Sequence, residues 1–338
     1  RLRADKSVYG HAASRVKDPR FRMALSFHPL FIGGDPRRVT SMYILVSHLE
    51  KAFGVHYVNG GVQALADAMG NVVKRLGGSV FLNQSVEEIL VDKGKASGVK
   101  LSDGRIIKSD IVVSNADPGW TYKNLIKKSS KSRWTDKRLS QSKWSMGLFV
   151  WYFGTKGTKN SWKDVGHHTI INGPRYRGLL KDIFDKKFLA EDMSIYLHRP
   201  SCTDKTVAPD GSDTFYALSP VPNLKTSNPV NWDEMGKIYK EKLRKVLNDI
   251  IPGFSETIET EFVLNPEDFM SRYLSPYGAG FSLEPRIFQS AWFRPHNVSE
   301  EVENLFLVGA GTHPGAGIPS VVTSAEVMAK LIPDASSI

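Results

Sequence analysis

The sequence has 338 residues, 41% of them hydrophobic and 24% charged, with Gly and Pro frequent but no repeat period. That composition excludes disordered and fibrous chains and is long enough for two domains of ordinary size. The formal net charge of +10 leaves two readings open, a basic solubilising surface or attraction to an anionic one, membrane phosphates or nucleic acid.

The spacing of apolar residues predicts a helix over 3–17, with Pro19 near its end, and a continued helical layer over 21–27. A turn follows at Gly33, Gly34 and Pro36. Met42, Leu45, Val46, Leu49 and Phe53 form a helical apolar stripe stopped by Gly54, and core packing is the expected role of that stripe. After an extended piece at 56–58 and a turn at Gly60 and Gly61, a second helix carries Val62, Leu65, Ala66, Met69, Val72, Val73 and Leu76 on one face. Extended pieces are expected at 80–82, 86–91, 96–101 and 105–108, the last two joined by Ser102, Asp103 and Gly104 as a hairpin. A strand at 110–114 then runs into Asn115, Ala116, Asp117 and Pro118.

Between 127 and 143, Lys127, Lys128, Lys131, Arg133, Lys137, Arg138 and Lys143 face one acid, Asp136, with Trp134 and Trp144 among them. This is the composition of an interfacial membrane segment and equally of a solvated loop. Strands are expected at 147–153, 168–171, 195–198, 214–219 and 259–264, a sheet broken by long loops. An amphipathic helix from Met235 to Ile250 is stopped by Pro252 and Gly253, and 266–273 reads as a short helix or turn. A strand at 304–308, a glycine-rich loop at 309–317 and a helix at 319–332 close the sequence.

The single cysteine, Cys202, permits no intrachain disulfide, which fits a reducing compartment. Nine histidines are scattered, and the adjacent His167 and His168 would face opposite ways on a strand, so no metal site is expected. Zinc-finger spacing and a helix-turn-helix signal are both missing, so nucleic acid is not an expected partner. The longest apolar run, 146–153, falls short of the ~20 residues of a spanning helix, so membrane contact is expected to be peripheral. Arg1 has no Met before it and the first periodic segment starts at once, so residues are expected to precede it.

The closing loop carries the sharpest chemical signal. Gly309, Gly311, Gly315 and Gly317 fall within nine positions, and glycine permits positive φ and close approach of backbone to a ligand. The helix behind it offers unpaired N–H groups and a positive dipole end. The dinucleotide fingerprint Gly-x-Gly-x-x-Gly is not met, because Pro314 holds the third glycine position and too few residues follow. The loop is therefore expected to close a cofactor domain rather than open one. Asn115 and Gly309 are expected at the carboxyl ends of strands in one nucleotide-binding sheet.

Stretches 57–61 (Tyr-Val-Asn-Gly-Gly), 114–117 (Ser-Asn-Ala-Asp), 173–176 (Gly-Pro-Arg-Tyr), 290–296 (Ser-Ala-Trp-Phe-Arg-Pro-His) and 309–319, in that order, resemble the bacterial-type phytoene desaturase family over most of the chain. The resemblance implies an α/β fold, a two-domain Rossmann-like flavoprotein of the amine-oxidase and phytoene-desaturase type. It implies a discontinuous FAD-binding domain that includes 57–118 and 303–338, and a membrane-associated substrate domain of α+β type over 1–56 and 119–302. It implies an FAD-dependent oxidoreductase that introduces conjugated double bonds into a hydrophobic C40 carotenoid, with a quinone or oxygen as electron acceptor. A related carotenoid isomerase, a hydroxycarotenoid 3,4-desaturase and a non-catalytic isoprenoid-binding homologue are the alternatives. Peripheral attachment to a membrane lipid surface on its cytoplasmic side is the expected location. The family opens with a Gly-x-Gly-x-x-Gly loop that this sequence lacks, so the intact protein is expected to supply it upstream of Arg1.

By the same resemblance Gly61, Val86, Asn115, Gly309, Gly311, Thr312, Gly317, Ile318 and Pro319 are expected near FAD. His313, Glu284 and Asp117 are candidates to accept a proton, and Arg294 to orient the flavin or pair with Glu284. Phe149, Trp151, Phe153, Phe281 and Trp292 are candidates to line an apolar tunnel, although core packing is the more ordinary role for each.

Overall fold

A computed structural model describes residues 3–127, 133–158, 161–162 and 164–333. In chain order these residues form helices α1 (Val8–Ala13), α2 (Pro19–Ala24), α3 (Leu45–Phe53) and α4 (Gly61–Arg75), then strands β1 (Val86–Asp92), β2 (Lys95–Leu101), β3 (Ile106–Lys108) and β4 (Val112–Ser114). Helices α5 (Pro118–Trp120) and α6 (Asp136–Gln141) precede strands β5 (Gly147–Thr155) and β6 (His168–Ile171). Helix α7 (Tyr176–Lys181), strands β7 (Ile195–His198) and β8 (Asp213–Val221), helix α8 (Trp232–Ile250), strand β9 (Ile258–Leu264), helix α9 (Pro266–Arg272), strand β10 (Leu305–Leu307) and helix α10 (Ile318–Ala329) follow.

Caps set the short helices. The helix expected over 3–17 shrinks to α1 because the Ser7 hydroxyl oxygen accepts the Gly10 N–H at 3.0 Å and so starts the helix at Val8. Asp18 caps α2 in the same way, accepting from the Arg20 N–H at 2.7 Å, and Pro19 occupies a first-turn position where its missing N–H costs nothing.

The chain divides into two compact units. One comprises Arg1–Ala52, Asn83–Met146 and Phe269–Ile338; the other comprises Phe53–Leu82 and Gly147–Asp268. These units cut the chain at other points than the division expected from the sequence.

The first unit holds an antiparallel sheet β1-β2-β3 and a parallel pair, β4 beside β10. Its core gathers Ile89, Tyr122, Trp134, Trp144, Leu305 and Leu307. Trp134 and Trp144 are 2% and 3% exposed. They are core residues, so their rings form no interfacial surface of that segment. Its cations are also partly spent: Lys127 pairs with Glu87 and Glu88, and Arg133 with Glu300. Lys128 and Lys131 lie outside the described residues.

The second unit is built on a five-stranded antiparallel sheet in the order β6-β7-β8-β5-β9. β5 and β8 stay in register from Gly147↔Val221 to Thr155↔Asp213. Phe149, Trp151, Phe153, Leu197 and Ala217 of that sheet share a core with Tyr239, Leu243 and Leu247 of α8. The first three thus pack as ordinary core, and Trp151 Nε1 donates to Glu261 at 2.8 Å.

Two apolar stripes differ from expectation. On α3 and just before it, Met42 is 53% and Phe53 70% exposed, and on α4 Leu76 is 82% exposed. Periodicity reports which face of a helix is apolar; it does not report what covers that face. Residues 80–82 form no strand.

Candidate functional site

β10 pairs with β4 in parallel, Leu305 opposite Val112 and Leu307 opposite Ser114. The Val308 N–H then donates to the Ser114 carbonyl at 3.0 Å. Both strands end side by side, so Asn115 and Gly309 emerge together at their carboxyl ends, where open parallel sheets bind ligands.

The loop that follows is pinned from behind. Asn297 Nδ2 donates to the carbonyls of Leu307 and His313, each at 3.1 Å, and Ser324 Oγ accepts the Gly309 N–H at 2.9 Å. Thr312 Oγ1 donates to the Gly309 carbonyl at 2.9 Å. Sequence reasoning missed Asn297 and Ser324; both act on backbone brought near by tertiary folding, which leaves no local pattern.

The glycines divide into two kinds. A Cβ on Gly309, whose φ is +104°, would lie 2.6 Å from Asn115 Oδ1, and one on Gly311 would lie 2.3 Å from Pro118 Cδ. Their room is filled by the 115–118 turn, so they serve loop packing rather than leaving a cradle for a ligand. Gly317, with φ +101°, is different, because the nearest atom to its added Cβ is Ile32 Cγ2 at 3.9 Å. It starts α10 with no side-chain cap; Pro319 has no N–H and the Val321 N–H donates to the Gly317 carbonyl at 2.9 Å, which leaves the Ile318 and Ser320 N–H groups without a side-chain cap.

Beside the loop, a pocket of about 260 Å³ is lined by Asn115, Asp117, Phe281, Ser282, Ala310 and Gly311, among others. Burial raises the Asp117 carboxyl above the usual range, opposed by Ser282, the Gly119 N–H and Arg294. That N–H donates to Asp117 Oδ1 at 2.7 Å. Arg294 is fully buried and donates through Nη2 to the Leu283 carbonyl at 3.0 Å. Burial lowers its affinity for its proton, and Tyr43 and Asp117 partly restore it.

Glu284 does not bond to Arg294. Its Oε2 accepts from Arg286 Nε at 2.9 Å while Oε1 is buried without a partner, and burial raises its pKa. His313 Nδ1 is likewise buried with no partner, so no side-chain hydrogen bond through that nitrogen steadies the loop. Trp292 is largely exposed, its ring 6.4 Å from that of His313. Val86 stands at the start of β1 in the same unit, whereas Gly61 opens α4 in the other unit.

The histidines are less scattered than the sequence suggests. His168 on β6 pairs directly with His198 on β7, and His167 lies just outside the strand, free of its alternation. Ligand nitrogens of the three lie within 4.8 Å of one another.

A flavin fits the residues around α10. Uncapped N–H donors, an open glycine at 317 and the unpartnered His313 Nδ1 suit the carbonyl and nitrogen edge of such a ring. The sequence is 65% identical over 334 residues to a phytoene desaturase (neurosporene-forming) of Cereibacter sphaeroides, covering 99% of this chain and 64% of that protein. A protein of the same description from Rhodobacter capsulatus is 63% identical over 336 residues, with the same coverage. The chain thus spans 64% of the length of these relatives. An oxidoreductase structure from Methanosarcina mazei superposes with a TM-score of 0.65 at 18% identity, over 96% of this chain and 68% of the other, which shows a shared α/β fold. The sequence pattern of the flavin containing amine oxidoreductases runs through residues 2–332, from before α1 to beyond the glycine loop and α10, and the chain belongs to that family.

Proposed function

We propose that this chain carries FAD-dependent carotenoid desaturation, the removal of two hydrogens from a –CH2–CH2– unit of a C40 polyene. The observation that carries the reading is the glycine loop between β10 and α10, set beside the end of β4 in a chain 65% identical to a phytoene desaturase. Both relatives above are described as neurosporene-forming, which favours neurosporene as the product.

FAD, when bound, supplies the acceptor for the hydride. The protein's own groups do the rest. The Gly317, Ile318 and Pro319 backbone would hold the flavin; Asn115, Gly309, Gly311 and Thr312 shape the loop, with Val86 a further binding position. Asp117 and His313 hold the departing proton in this reading, supported for the first by its position at the pocket and for the second by its unspent Nδ1. Arg294 and Glu284 act as positioning residues. A quinone or oxygen takes the electrons onward.

A second pocket, of about 470 Å³ and mostly apolar, is lined by Trp120, Leu139, Trp144, Met270, Pro276 and Tyr277, among others. Its character suits a polyene. The protein meets its substrate at a membrane. Lys137 and Arg138 flank the exposed Phe288 and Phe293 around one groove, an aromatic and basic surface suited to lipid headgroups.

The test is conversion of phytoene in vesicles by the FAD-loaded intact polypeptide, followed by chromatography of the pigments. Neurosporene is expected, and Asp117→Asn should retain flavin while turnover falls by at least tenfold. Bound flavin with no loss of hydrogen from phytoene would sink the proposal.

A further inference from the structure

We propose that His167, His168 and His198 form a binding site for a borderline divalent transition-metal ion, zinc foremost. The site lies in the unit of the five-stranded sheet and is independent of the flavin loop.

The register of β6 and β7 puts His168 opposite His198. Directly opposite residues of an antiparallel pair project to the same face. His167, one position before β6, brings its Nε2 to 3.0 Å from His198 Nε2. Other groups occupy the far side of two rings. His167 Nδ1 lies 2.6 Å from Thr203 Oγ1, and His168 Nδ1 lies 2.6 Å from the Tyr196 hydroxyl. With Nδ1–H donating to those oxygens, Nε2 of each ring is left as a lone pair. That is the second-shell arrangement that fixes the tautomer of metal-ligating histidine.

The three ligand atoms lie within 4.8 Å of one another. Four-coordinate zinc with nitrogen at about 2.0–2.1 Å holds its ligands about 3.3 Å apart, so modest ring rotation closes the set. Without a metal, one of the facing Nε2 atoms of His167 and His198 donates to the other across 3.0 Å, while His198 Nδ1 is buried with no partner. A cation between the rings takes the place of that shared proton. Burial lowers the pKa of all three rings, and together with His167 and His168 it pushes His198 down to about 4. Neutral imidazole is the form that binds metal.

The surroundings favour positive charge. Asp204, 6% exposed, raises the proton affinity of His167 through its own charge and accepts the Gly60 N–H at 2.6 Å. The Tyr57 ring packs edge-on to His167 at 4.6 Å, and Tyr216 lies 4.6 Å from His198. Imidazole nitrogens without thiolate or a carboxylate set select zinc, copper, nickel or cobalt over magnesium or calcium. His168 is exposed, so water fills the fourth position. The ion would clip the segment before β6, the edge strand, to β7.

The test is titration of the intact, EDTA-stripped polypeptide with Co2+, read by visible absorption, and with Zn2+, read by calorimetry and by the melting temperature. One ion per chain, tetrahedral cobalt bands and a raised melting temperature are expected. His168→Gln, at an exposed position that tolerates change, should weaken binding at least tenfold, as should His198→Gln. His48→Gln, outside the cluster, should not. Absent cobalt bands, or zinc binding that His168→Gln leaves undiminished, would overturn the proposal. Circular dichroism of His198→Gln guards against misfolding, and His168→Gln decides the matter if that variant fails to fold.

Discussion

A methyl group on Gly311 would lie 2.3 Å from Pro118 Cδ and 2.8 Å from Ser282 Oγ, both inside van der Waals contact. Pro118 Cδ belongs to a rigid ring, so Gly311→Ala must shift the turn and should cost about 1–3 kcal/mol. At Gly317 the penalty is backbone strain alone, because φ +101° suits glycine while the space is open. Gly317→Ala should therefore lower flavin content with a smaller change in the urea midpoint, and Gly311→Ala should lower both together. Equal midpoints for the two variants would remove the distinction. The glycine count was legible in the sequence. The division of labour within it was not, since the atoms that crowd Gly309 and Gly311 come from Asn115 and Pro118, nearly two hundred positions earlier, and from Ser282.

At the scale of elements, Trp134 and Trp144 carry the same lesson. Their neighbours in sequence are lysines and arginines, yet both, on either side of α6, point into the core, where Trp134 stacks against Tyr122 and lies 4.3 Å beneath the Arg138 guanidinium. Trp134→Ala should destabilise its unit by about 3–5 kcal/mol, the usual cost of emptying an aromatic site in a core. The double variant Phe288→Ser with Phe293→Ser changes exposed side chains, so its stability should stay within about 0.5 kcal/mol of the parent. Its binding to anionic vesicles, measured by sedimentation, should nevertheless fall several-fold. Unchanged sedimentation would remove that surface as the lipid contact. Strands were readable because β-branched runs and turn residues mark them locally: β1, β2, β5, β8 and β9 fall within two residues of expectation at either end. Coverage of α3 and α4 was not readable, since an apolar stripe looks the same whether buried or bare.

The described residues gather into two cores, and both draw on Trp, Leu, Tyr and Val, with Phe in the second unit's cluster alone. The second unit contains a buried ion pair. Arg199 and Asp213 are 4% and 1% exposed in their side chains and joined at 2.8 Å, with Ser201 and Thr158 also donating to the carboxylate. Burial alone would raise the Asp213 carboxyl, but Arg199, Ser201 and Thr158 outweigh it and hold the group below the usual carboxylate range. A depressed carboxyl stabilises the fold above its unfolded pKa, near 3.9 for Asp. That contribution disappears as pH falls through the folded value. Asp213→Ala leaves a buried guanidinium unpaired, at a cost of about 3–5 kcal/mol. The variant should also lose the part of the acid dependence that belongs to this carboxyl, so its stability should change less than the parent's below about pH 4. Hydrogen exchange reads the location: amides of β5 and β8 should exchange faster in the variant at neutral pH. Those of β4 and β10, in the other unit, serve as the reference. Equal acceleration in both sets would mean that the pair holds up the whole chain rather than the sheet that contains it.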